Sequence, residues 1–135
     1  MKVNVTPKQS STLLVSLLVV ALCGIVYELI IGTISSYLLG DSVYHFSITI
    51  GLFMFSMGVG SYLTKHLNDR YIENFITIET MIALVGGASG IILFTVFPYA
   101  RIFYELTMYG LIFSVGCLVG MEIPILTSLL SLQQS

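Results

Sequence analysis

Four apolar runs govern what this chain can fold into. They cover about residues 13–39, 43–63, 75–97 and 102–132, and each can cross ~30 Å of hydrocarbon as a helix rising ~1.5 Å per residue. The runs are continuous and lack the period-two alternation of barrel strands, and each is about twice a barrel strand's length. Composition points the same way: 56% of the 135 residues are hydrophobic and only 9% are charged, too few charges to cover a water-soluble domain. Disorder is excluded too, because disordered chains are polar and charged. The expected fold is an all-α integral membrane protein with four transmembrane helices, a bundle of two helical hairpins forming a single domain.

Lys2 and Lys8 precede the first run, as in a secretory signal, but that run is far longer than the ~7–15 residues of a signal core. Bulky Leu22 before Cys23 spoils "VALC" as a lipoprotein cleavage box. An uncleaved first span is expected. Lys2, Lys8, Lys65 and Arg70 would then face Arg101 alone across the bilayer, which places both termini in the cytoplasm. The predicted setting is a multi-pass protein of a bacterial inner membrane, with the lipid bilayer as its first partner.

Several chemistries are excluded or left without support. No basic stripe exists to engage nucleic acid. "GGASG" (86–90) lies mid-run with no strand before it, unlike a phosphate-cradling loop. No group of His, Cys, Asp and Glu has metal spacing, no nucleophile–base pair stands out, and no cofactor is expected. Cys23 and Cys117 read as small packing residues.

Small residues recur four apart on every span: Gly32/Ser36/Gly40, Ser47/Gly51, Ser56/Gly60, Gly86/Gly90 and Gly116/Gly120. In lipid, helices gain little from apolar burial, so close backbone approach must hold them together. Gly32, Ser36, Gly51, Gly60, Gly86, Gly90, Gly116 and Gly120 are therefore expected at helix contacts, either within the bundle or against another subunit or domain.

Among the acids, Asp41, Asp69 and Glu73 are expected in solvated turns and Glu105 in a pair with Arg101 one turn earlier. Glu79 is read as lying in the first turn of span three, where a carboxylate suits the helix N-terminus. Glu28 and Glu122 differ: both lie at bilayer depth with no embedded Lys or Arg. Desolvation favours their protonated, hydrogen-bonding form, and their depths, about 8 Å apart, would let them meet. Two readings stand. They bond to hydroxyls such as Tyr27, Thr33, Ser35 or Ser36 and glue the helices, or they form a site for a cation, polyamine or proton. Pro124 beside Glu122 frees the carbonyl of Gly120 and adds polar backbone there. His45 is expected as a hydrogen-bonded interfacial residue, and Tyr62, Tyr71, Tyr99 and Tyr104 as interfacial aromatics.

One ordered set of motifs is more specific: the Tyr27–Glu28 pair, the turn "LLGDSVY", "GVGSYL" at the end of span two, and "GMEIP" at Gly120–Pro124. Together these resemble the N-terminal membrane region of bacterial membrane-bound spermidine synthase-like proteins, the polyamine aminopropyltransferases. The resemblance implies further spans and a Rossmann-like catalytic domain with a glycine-rich loop and an acidic polyamine site. None of those motifs occurs here, so no catalytic residue carries over and the chain alone is not expected to transfer aminopropyl groups. A fragment, one product of a split gene and a free-standing membrane module remain open. The functional expectation is a membrane-anchoring and interaction module in polyamine metabolism, assembling as a homo-oligomer or with a separate soluble aminopropyltransferase domain. The alternative is a small transporter-like module that oligomerises to move a polyamine, cation or proton.

Overall fold

A computed structural model describes residues 7–66, 70–99 and 101–134. Lys2 and Asp69 lie outside this set. The described chain is helical: α1 (Pro7–Leu39), α2 (Ser42–Leu63), a 3-10 turn at Thr64–His66, α3 (Tyr71–Val96) and α4 (Arg101–Gln134). All four α-helices are long and apolar enough to cross a membrane by length and composition.

Local chemistry sets their ends. Pro7 opens α1, where a missing N–H costs nothing. Gly40 closes it at φ +89°, its N–H donating to the Ser36 carbonyl at 3.0 Å; glycine adopts that left-handed backbone without a Cβ penalty. Asp41 follows at once as the N-cap of α2, its Oδ1 accepting the Tyr44 N–H at 3.1 Å. The motif "LLGDSVY" is thus a helix stop joined to a helix start.

The second connection is shorter than the polar stretch 64–74 implies. Polar residues at 71–74 are already helical, and Arg70 pairs with Glu73 at 3.2 Å across the first turn. Because α3 starts at Tyr71, Glu79 lies two turns inside it rather than in its first turn. Its role at the helix N-terminus is therefore corrected. At the far end Pro98, which has no N–H to donate, ends the helical run, and Arg101 pairs with Glu105 at 3.0 Å as expected.

Contacts between helices define the arrangement. α1 and α4 each touch all three other helices, whereas among the described residues α2 and α3 do not touch each other. The cross-section is a rhomb with α1 and α4 across its short diagonal. Half of α4's most apolar stretch is buried, against 17% of α1's, so α4 is the central element. Leu18, Leu22, Ile25 and Leu29 of α1 are among the large apolar side chains left exposed.

Glycines decide the tightest packing. A Cβ on Gly60 would meet the carbonyl of Cys117, and one on Gly120 the backbone of Met57. One on Gly116 would lie 2.7 Å from Ser56 Cβ. These three contacts bring the α2 and α4 backbones together. Gly86 instead receives the Tyr27 ring, Gly32 the Phe46 ring and Gly90 the tip of Ile34. Gly51 is exposed, and among the described residues nothing lies within 4 Å of its Cβ position.

Candidate functional site

Two features set the polar interior apart from the surface. On exposed faces, Thr77, Thr80, Thr95 and Thr107 return their hydroxyls to the carbonyl four residues back, at 2.7–2.8 Å, which hides a donor from an apolar surrounding. Inside, the same self-satisfaction is incomplete. Ser35, His45, Thr49, Ser56, Ser89 and Glu122 are buried, and three of their atoms, His45 Nδ1, Thr49 Oγ1 and Glu122 Oε1, have no hydrogen-bond partner. A buried polar atom left unpaired costs ~1–3 kcal/mol.

At the end of the bundle holding the Gly40 turn, Ser35 Oγ and Tyr104 Oη lie 3.0 Å apart, both fully buried. Tyr104 is therefore a core residue and not an interfacial one. His45 is likewise corrected: it is 2% exposed, packed edge-on by Tyr44, and its Nδ1 is unpaired. Thr49 sits one turn further along the same face of α2. Sequence position near a span end implied solvent for both His45 and Tyr104; the overlap of α1, α2 and α4 at this level removes it. Tyr62 and Tyr99 remain exposed as expected, and Tyr71 is half-buried.

Glu122 lies at the other end. It is 1% exposed in α4, two residues before Pro124. Inter-helix contacts fix its height. Gly24 of α1 lies against Val119 of α4, and Tyr27 of α1 against Gly86 of α3. One turn along from the first pair come Val20 and Glu122; two turns back from the second come Val20 and Glu79. The three residues therefore share a level of the bundle. From the 3-10 turn after α2, Thr64 reaches the same layer, its hydroxyl shared between the carbonyls of Gly60 and Met121 at 3.2 and 3.5 Å.

Glu28 is elsewhere. It is half-buried and makes no hydrogen bond or ion pair among the described residues. The same register sets it about two turns from Glu122, roughly 12 Å along the axis. Tyr27 packs its ring on Gly86, and Ser35 bonds to Tyr104 rather than to either acid. Glu79 is the acid that this register sets at the height of Glu122. A signal for it existed: Phe75, Glu79, Ile82 and Gly86 fall on one face of α3 at spacings of four, three and four residues, but reading 64–74 as loop and Glu79 as first-turn hid this.

Glu79 also lines an open groove of about 470 Å³ with Ser11, Thr12, Val15, Ser16 and Val19 of α1. No cluster of three or more His, Cys, Asp and Glu side chains suited to a metal ion occurs among the described residues. Cys23 is exposed and Cys117 buried, both as free thiols.

Comparison with known proteins gives this helical module relatives. No family model and no solved structure matches it. A protein of Leptospira interrogans named polyamine aminopropyltransferase is 47% identical over 120 residues, covering 89% of this chain and 24% of the relative. Polyamine aminopropyltransferase 2 of Ralstonia nicotianae is 39% identical over 93% of this chain and 25% of its own length. Polyamine aminopropyltransferase 1 of Streptomyces coelicolor is 41% identical over 87% of this chain and 22% of its length. The chain thus spans about a quarter of the curated relatives it matches. Nearly all of it is homologous to one part of bacterial polyamine aminopropyltransferases, consistent with the N-terminal region of a spermidine synthase-like protein.

Proposed function

We propose that this chain is the membrane-anchoring module of a polyamine aminopropyltransferase, holding the catalytic part at the inner face of a bacterial membrane. The observation that carries the reading is the alignment itself. Some nine-tenths of a four-helix, membrane-length chain matches only a quarter of each relative, leaving most of that relative for the aminopropyl transfer its name describes. In this reading α1–α2 and α3–α4 insert as hairpins, and Lys65 and Arg70 mark the cytoplasmic side. The exposed apolar face of α1 meets lipid, further helices of the polypeptide or a second copy.

The test is fractionation of the expressed chain together with an aminopropyltransferase polypeptide. The expected result is a carbonate-resistant membrane pellet from which detergent extracts an assembly carrying aminopropyltransferase activity. Release into the carbonate wash, or a strictly monomeric species without that partner, would overturn the proposal.

A second reading, movement of a polyamine, cation or proton by an oligomer, draws on the unpaired Oε1 of Glu122. Flux of labelled spermidine or protons into proteoliposomes supports it; no flux with folded protein removes it.

A further inference from the structure

We propose that His45 and Glu105 form a proton-binding site across the α2–α4 seam, at the end of the bundle that holds the Gly40 turn. Its placement follows from the register of the seam. Ser56 of α2 meets Gly116 of α4, where a Cβ on the glycine would lie 2.7 Å from Ser56 Cβ. Met57 meets Gly120 further along both helices, so α2 and α4 run in the same direction. His45 and Glu105 each precede the Ser56–Gly116 pair by eleven residues, which is three helical turns to within about 20° of rotation. His45 therefore faces where Ser56 faces, and Glu105 where Gly116 faces, at one height. Burial agrees: His45, Thr49, Phe53, Ser56 and Gly60 make up the covered face of α2, and Glu105 is half-buried.

The two side chains are complementary and incompletely used. His45 is 2% exposed, and its Nδ1 has no partner. Glu105 Oε1 accepts from Arg101 Nε at 3.0 Å, while its Oε2 accepts nothing among the described residues. A proton makes both imidazole nitrogens donors, and a carboxylate opposite supplies the counter-charge that a buried imidazolium requires. Hydronium delivers that proton: an N–H bond forms at Nδ1, an O–H bond of hydronium breaks and water departs. The other titratable groups at this end are Asp41 and Tyr44 beside His45, and Arg101, Tyr104 and Tyr109 of α4. Asp41 Oδ1 is already engaged as the cap of α2 by the Tyr44 N–H. α1 brings Ser35 to this end, and its Glu28 lies about a turn and a half deeper by the Gly32–Phe46 contact. α3 does not touch α2 among the described residues. The site stands whether or not the chain anchors a catalytic domain; under the anchoring reading, the proton arrives from the side opposite Lys65 and Arg70.

The chain has two histidines, His45 and His66, so nitrogen-15 NMR of the histidine-labelled, detergent-solubilised chain reads two titrations, and His66→Gln assigns them. His45 is expected to take up its proton while helical circular dichroism is retained. Glu105→Gln should weaken that proton affinity by about 10-fold or more, the scale of one nearby opposite charge. Arg101→Gln removes a like charge and should strengthen it, while Glu28→Gln and Asp41→Asn leave it within about 2-fold. A His45 that stays neutral until the helices unfold, an affinity unchanged in Glu105→Gln, or a loss in Asp41→Asn in its place would overturn the proposal. If Glu105→Gln does not fold, Arg101→Gln, which keeps both site residues, decides alone: an unchanged affinity there overturns the site. Membrane fractionation of the same variants is read separately, so failure to bind the proton is distinguishable from failure to anchor.

Discussion

The α2–α4 seam and the outer face of α1 are made of similar residues and behave in opposite ways. Along the seam, Gly60, Gly116 and Gly120 let two backbones meet, and Phe53, Ser56, Val115 and Cys117 are buried around them. Along α1, Leu18, Leu22 and Leu29 stay exposed, and only 17% of its most apolar stretch is buried. Apolar content therefore does not say which surface packs. Where helices gain little from hiding apolar groups from lipid, contact is decided by how near two backbones can come.

The largest expected effect breaks the seam itself. Gly120→Leu would place a branched side chain into the Met57 backbone, where nothing can yield, and should cost about 3 kcal/mol or more. The measurement is the midpoint of denaturation in mixed micelles; a midpoint within error of wild type would show that the seam does not carry the fold. Gly86→Val tests a softer contact. Its Cβ would fall 2.6 Å from the Tyr27 ring, a side chain that can rotate away, so a loss of about 1–2 kcal/mol is expected. The double variant with Tyr27→Ala should recover part of it.

Smaller again is Tyr104→Phe, which removes the bond to Ser35 at the opposite end of the bundle. A loss of about 1 kcal/mol is expected, and a neutral result would mean that Ser35 finds its own backbone instead. The smallest effect has the opposite sign. Gly51 has open space around it, so Gly51→Ala should gain about 0.5–1 kcal/mol from lower chain entropy. Destabilisation there would reveal a partner covering that face, and would make Gly51 part of a seam between chains.

Where the sequence could be read depended on whether the signal was local. Gly40 and Asp41 mark a helix stop and start because their roles involve only the adjoining turns, and Arg101–Glu105 follows from i,i+4 geometry. Glu122 was legible as an acid too deep to be idle. Its companion was not: Glu28 and Glu79 are equivalent candidates until the registers of α1 against α4 and of α1 against α3 are known. His45 and Thr49 were missed for a related reason, since a position near a helix end shows solvent only if no neighbouring helix covers it.

The sequence by itself determined that there are four membrane-length helices, where the turn between α1 and α2 falls, and that glycines and a few acids must do the work that apolar burial does in water. Only the tertiary structure decided which glycine packs and which stays bare, and that Glu79 rather than Glu28 shares the height of Glu122. The physical reason is that the outward and inward faces of these helices are equally apolar. A water-soluble helix advertises its buried side by a polar stripe opposite; here that stripe is absent, and the choice passes to contacts between residues far apart in the chain.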